Sequence, residues 1–231
     1  MSREKAKLVE ASVRHAMYYL TVLSRSRRMY DTGGWELIDG IRLSSEECPN
    51  IIRAHSWTIE AAETDHRAAA LCVQMTKHSW QLYLMLGRLQ DGLQLLTNAV
   101  RVVRHVASEG DLSEILHGVA LLTATTGDIA CAAQVCEQAL NSAIASNAEN
   151  AIDLHSYSGA LNRQLGRYEA AQAAYLNAWR AAKRHGKAEK LGQVYNELGN
   201  ARLTQGRYES ALFFYKKSLA AIIRNHEGPS R

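Results

Sequence analysis

Apolar residues recur every three to four positions along most of the chain, the period of an amphipathic helix and not the alternation of a strand. Val9, Val13, Ala16, Leu20 and Leu23 share one face of a helix predicted over 3–28. Asp31-Thr32-Gly33-Gly34 breaks that pattern. A short helix is expected over 35–43, and Pro49 suits the first turn of another over 49–62, where its missing N–H has no intrahelical partner. Thr64 or Asp65 is placed to cap a helix that reaches about Met85. From there the pattern runs helix, glycine turn, helix: 64–85 with 89–107, 111–125 with 129–146, 151–164 with 168–185, and 188–204 with 208–225. Asp111, Asp128 and Asn150 stand where N-caps are wanted, and Gly110, Gly186 and Gly228 where helices should stop. Connections of two to five residues make neighbouring helices antiparallel.

The turn glycines Gly87, Gly127, Gly166 and Gly206 fall 40, 39 and 40 residues apart. Around the last two, Leu165-Gly-Arg-Tyr-Glu-Ala-Ala171 recurs as Gln205-Gly-Arg-Tyr-Glu-Ser-Ala211. A fixed period of this length, helical on both sides of the glycine, marks a stacked array of helix pairs. The fold expected is therefore all-α, a right-handed superhelix of antiparallel helix pairs without strands. The expected organisation is an N-terminal helical segment, 1–63, packed on about four repeats at 64–107, 111–146, 151–185 and 188–225.

The last copy, Tyr195-Asn-Glu-Leu198-Gly199 through Gly206-Arg-Tyr208-Glu-Ser-Ala211 to Tyr215, closely resembles the tetratricopeptide repeat (TPR). Gly199 and Ala211 fall where the two helices cross, and Tyr195 and Tyr215 fill the space beside them. The 151–185 copy matches at Gly159, Ala171 and Tyr175, but His155 and Ser158 replace the aromatic and the leucine. The 111–146 copy keeps Ala120, Gly127, Ala132 and Ala139, with Cys136 in the aromatic slot. The 64–107 copy departs furthest, with Trp80 where a small residue is expected and Gly92 where alanine is. No copy has the terminal proline, and the period is 40 and not 34.

A second resemblance covers 1–107. Arg14-His-Ala-Met-Tyr-Tyr-Leu20, Asn50-Ile-Ile-Arg-Ala-His-Ser-Trp57 and Leu82-Tyr-Leu-Met-Leu-Gly-Arg-Leu-Gln-Asp-Gly-Leu93, in that order, are similar to the start of the helical arm of bacterial STAND-type signalling NTPases of the NB-ARC or AfsR-like kind. The resemblance implies an arm that senses an inducer and restrains or releases an NTPase core. The chain has no G-x-x-x-x-G-K-[ST], so it is expected to be an excised sensor arm or a stand-alone relative.

Composition narrows the function classes. With 231 residues and 47% apolar content the chain can bury a sizeable core. Of the net charge of +4, residues 1–30 carry +5, from seven Lys/Arg against Glu4 and Glu10. A basic first helix could meet nucleic acid or an acidic domain; the alternative is a solvated helix face. The four cysteines lack metal-ligand or CxxC spacing and read as reduced thiols of a cytoplasmic protein. No apolar run suits a membrane span, and the N-terminus lacks the apolar core of a signal peptide. The nine histidines form no H-x-x-x-H or H-E-x-x-H, and no serine sits in G-x-S-x-G, so neither enzyme, cofactor nor metal site is expected.

In tetratricopeptide arrays the first helix of each repeat lines a concave groove. The resemblance places Lys77, His117, Arg163, Asn196 and Asn200 there. Asn196 and Asn200 are one turn apart, so both amides point one way. Two amides and two cations suit an extended peptide or a terminal carboxylate, with a small inducer and an adjacent NTPase domain as further partners implied by the second resemblance. Function is thus expected to be protein interaction or ligand sensing. The alternatives are a free-standing peptide adaptor and a DNA-associated regulator using the basic N-terminal helix.

Overall fold

A computed structural model describes residues 3–227, all in helices and short turns, with no strand among them. Gly228, expected to stop the last helix, lies outside the described residues. The chain divides into two units, residues 1–127 and 128–231. The first holds α1 (Arg3–Thr32), α2 (Gly34–Ala61), α3 (His66–Met85), α4 (Leu89–Val103) and α5 (Glu109–Thr125). The second holds α6 (Ile129–Ala145), α7 (Ala151–Gln164), α8 (Tyr168–Arg184), α9 (Ala188–Thr204) and α10 (Tyr208–Glu227).

In the first unit α1 pairs with α2, and both pack on α3. Here the sequence expectation fails: the helices foreseen at 35–43 and 49–62 are one helix, α2, with Pro49 inside it. A proline within a helix removes a hydrogen bond and costs about 3 kcal/mol. The helix persists because its buried face, Gly40, Ser44, Cys48, Ile51, His55 and Thr58, runs unbroken through that point, while Pro49 faces solvent. The carbonyl that loses its partner belongs to Ser45, also exposed, and water can satisfy it. Ser26 Oγ donates to the Gly40 carbonyl at 3.0 Å and also bonds Ser44 Oγ, stitching α1 to α2.

Helix ends follow local chemistry. Asp65 caps α3, accepting from the Arg67 N–H at 2.8 Å, and Asp128 caps α6, accepting from the Cys131 N–H at 2.9 Å. Asn150 holds the N-cap position of α7 without a side-chain cap bond. Asp111 is not an N-cap: Ser108 is, its Oγ accepting from the Asp111 N–H at 3.1 Å and donating to Asp111 Oδ2 at 2.8 Å. Gly110 therefore lies in the first turn of α5 and does not end α4. Gly87, Gly166 and Gly206 adopt φ of 65°, 72° and 70°, and the following N–H reaches back five residues, the Schellman closure that favours glycine. Asn147 (φ 49°) closes α6 in the same way, a stop signal hidden by its not being glycine.

Large and small residues exchange places between the repeats. A Cβ on Gly159 would sit 2.5 Å from the Tyr175 ring, and one on Gly199 2.5 Å from the Tyr215 ring, as the repeat register requires. Ala211 is buried, in line with its expected place at a crossing. The 64–107 copy solves the same problem in reverse. Trp80 of α3, in a small-residue slot, lies on Gly118 of α5, where a Cβ would meet its ring at 2.5 Å, and Gly92 makes room for buried Tyr83. Gly118→Ala is expected to cost about 1–3 kcal/mol through overpacking. Combining it with Trp80→Leu should recover much of that loss, which a double-mutant cycle in urea would read. Additive losses would mean that α3 and α5 do not approach this closely.

In the second unit α6 to α10 pack in chain order, and α7 also touches α9. Ala171, Tyr175, Ala178, Val194, Leu198 and Ala201 form its central cluster, with Trp179 and Tyr195 against it. The Trp179 Nε1–H donates to Tyr195 Oη at 3.1 Å, so the polar tips of both rings are satisfied.

Candidate peptide-binding face

Lys77 and His117 belong to the first unit, on α3 and α5; Arg163, Asn196 and Asn200 belong to the second, on α7 and α9. Lys77 is already compensated. Its Nζ lies 2.9 Å from Asp111 Oδ1 and 3.2 Å from Glu114 Oε1. Burial pulls its pKa down, but the two carboxylates outweigh this and hold it above the usual lysine value. Asp111 mirrors this, burial raising its pKa and Lys77 and Ser108 bringing it below the usual carboxylate value. His117 is half-buried on α5, one turn beyond Glu114.

The second unit brings its three residues onto two neighbouring helices. Asn196 is exposed and Asn200 half-buried, one turn apart on α9. Asn200 Oδ1 accepts from the Tyr215 hydroxyl at 2.8 Å, which leaves its NH2 to donate elsewhere. On α7, the Nε of half-buried Arg163 is enclosed and has no hydrogen-bond partner. Tyr175, wholly buried, also has a hydroxyl that makes no well-formed hydrogen bond. Burial and then the charge of Glu197 raise the pKa of Tyr175 to about 12, and Arg163, within reach of its hydroxyl, opposes them; neither makes a hydrogen bond of good geometry to it.

Tyr175 was not foreseen as a site residue. The signal was present: 40 residues before Asn200, which satisfies Tyr215, stands Ala160, which offers Tyr175 nothing. Two enclosed polar atoms without a well-formed hydrogen bond, on helices that pack against the one carrying both amides, give this part of the second unit unused hydrogen-bonding capacity.

Other candidate chemistry is sparse. Among the described residues no group of three or more His, Cys, Asp or Glu could hold a metal ion, and no helix is long and apolar enough to cross a membrane. Cys48, Cys72 and Cys136 are buried free thiols and Cys131 an exposed one. On α1, Arg14, Arg25 and Arg28 are exposed, whereas Arg27 turns inward to His78 Nδ1 at 2.8 Å.

The family model of the tetratricopeptide repeat matches residues 150–223, which cover this face. KINESIN LIGHT CHAIN-RELATED 2 of Arabidopsis thaliana is 26% identical over 168 residues. That match covers 68% of this chain, and the chain spans about a quarter (25%) of that protein's length. Among solved structures, a Podosopora anserina protein named for kinesin light chain, with nearly identical TPR-like repeats, superposes with a TM-score of 0.68 at 14% identity. It covers 93% of this chain and 99% of its own. BtubC (BKLC) from P. vanneervenii gives 0.62 at 17% identity, covering 96% of each. The fold is thus that of TPR-like helical-repeat structures, and residues 150–223 carry the repeat itself.

Proposed function

We propose that the chain is a non-catalytic protein-interaction module of the cytoplasm whose second unit holds an extended peptide segment of a partner on the α7/α9 face. The observation that carries this is that Arg163 Nε and Tyr175 Oη, on α7 and α8, are enclosed without a well-formed hydrogen bond, while α9, which packs on both helices, carries the amides of Asn196 and Asn200. The amides suit a peptide backbone and Arg163 a side-chain or terminal carboxylate. A TPR-like fold agrees with such a role, since solenoids work by presenting surface. The reading is confined to the second unit; Lys77, neutralised by two carboxylates, is not needed for it.

The test is binding of an immobilised peptide library with acidic side chains and free C-termini. Asn196→Ala/Asn200→Ala is expected to weaken selected peptides at least about tenfold, the loss of one or two hydrogen bonds in a desolvated groove. Peptides whose affinity ignores that change, or that crosslink to other helices, would overturn the assignment.

A second reading, the sensor arm of a STAND-type signalling NTPase responding to a small inducer, is favoured by a separate observation. Leu8, Met17 and Tyr18 on α1 and Trp35 and Ile38 on α2 are exposed, Trp35 to 84%. An arm seated on a neighbouring domain presents such side chains. Trp35→Ser in a full-length protein carrying an NTPase domain should release nucleotide turnover. Unchanged turnover would sink this reading.

A further inference from the structure

Beside His155, which stands where the repeat has an aromatic, lies a cleft that the face above does not use. In the following repeat the equivalent position is Tyr195, packed on the core and bonded to Trp179. His155 is smaller, and the cleft beside it, of about 240 Å³, lies between the α6–α7 turn and α8. Arg180, Arg184, His155, His185, Asn147 and Asn177 line it, with alanines as its apolar wall. Arg180 and Arg184 are one helical turn apart, so their guanidinia share a face of α8.

No carboxylate lines the cleft. The α6–α7 turn and the first turn of α7 do carry two acids, but both are taken. Glu149 pairs with Lys187 at 3.0 Å, and Asp153 with Lys190 at 2.9 Å. Among the described residues neither Arg180 nor Arg184 makes an ion pair; Arg180 only donates to Asn177 Oδ1 at 2.9 Å. Burial, and next the charge of Arg184, lower the pKa of His155, so the basic groups already act on one another. Gathering cations without an anion is unfavourable, and an anion entering the cleft relieves it.

We propose that this cleft binds a phosphoryl dianion. Two planar guanidinium forks, two imidazoles and two carboxamides supply more donors than the two oxygens of a carboxylate can use, and they match the three or four oxygens of a phosphate. The lining residues do not overlap Arg163, Asn196 or Asn200. His155 and Arg163 are eight residues apart on α7, about 12 Å along the helix axis.

The experiment follows backbone amide resonances of residues 147–151 and 184–185 while inorganic phosphate or O-phospho-L-serine is added, with chloride as the control. Saturable shifts with either phosphate probe, absent with chloride, are the expected result. Arg180→Gln/Arg184→Gln, a change of exposed residues, should weaken binding at least about tenfold. His155→Tyr, which restores the residue of the next repeat, should fill the cleft and abolish binding while keeping helix content. Tighter binding of phosphoserine would assign the cleft to an esterified phosphate, and equal binding to free phosphate. No saturable shift at these amides, the same shift with chloride, or shifts that survive the double arginine change would overturn the proposal.

Discussion

Tyr175→Ala is expected to lower the stability of the second unit by about 3–5 kcal/mol, the cost of emptying a fully buried aromatic site. Tyr175 is wholly enclosed, and its ring lies against Gly159, where even a Cβ would come within 2.5 Å. Ala171, Ala178, Val194 and Leu198 complete the cluster around it. Most of these neighbours are alanine or short aliphatic side chains on rigid helices, so the cavity cannot collapse. Tyr175→Phe separates packing from the hydroxyl. Because that hydroxyl makes no well-formed hydrogen bond, phenylalanine should change stability by less than about 1 kcal/mol. Urea unfolding monitored on the second unit reads both. A large loss with phenylalanine would mean that the hydroxyl is bonded and that the peptide face is less open than proposed.

The first unit should lose stability as pH falls from about 6.5, well before its carboxylates titrate. His55 is completely buried. The Thr76 hydroxyl donates to the Cys72 carbonyl at 2.6 Å, so its oxygen accepts from His55 Nε2–H at 2.9 Å. That fixes the neutral tautomer and leaves Nδ1 enclosed without a partner. Burial lowers the pKa of His55 to about 3. The folded value lies below the unfolded value of about 6.5, so the unfolded chain binds the proton first. The stabilisation is complete above about pH 6.5 and is lost as pH falls toward 3, amounting to at most about 5 kcal/mol over that window. His78 acts in the same direction, its pKa lowered to about 4 by burial and then by the charge of Arg27. His55→Gln should remove about half of the slope between about pH 6.5 and 4, His78 carrying the remainder, measured by amide exchange in α2 and α3. A slope unchanged in that variant would show that His55 is not held neutral.

Two departures from the repeat pattern mark the candidate sites of the second unit. Tyr175 lacks a well-formed hydrogen bond because Ala160 stands where the next repeat has Asn200. The cationic cleft is lined by His155, which stands where that repeat has Tyr195. A repeat array makes such departures informative, since each copy supplies the reference for its neighbour.

The helices from α3 onward were legible in the sequence, most to within two residues, because 3.6-residue periodicity, Asp65 and Asp128 as caps, and glycines at the turns are local signals; α4, expected to reach 107, stops at Val103, where no such signal stands. The same locality explains the misses. Pro49 argued for a helix start, but only the tertiary structure shows a continuous buried stripe that carries α2 past it. Ser108 prevailed over Asp111 as a cap because its hydroxyl serves both the Asp111 N–H and the Asp111 carboxylate at once. Of the groove residues, the sequence placed Asn196 and Asn200 on one helix face by spacing alone. That Lys77 is neutralised by Asp111 and Glu114, 34 and 37 positions away, while Arg163 keeps a buried unbonded nitrogen, was settled by which helices lie side by side. Periodicity is written in one helix at a time, whereas a charge's partner and a hydroxyl's isolation are properties of two helices in contact.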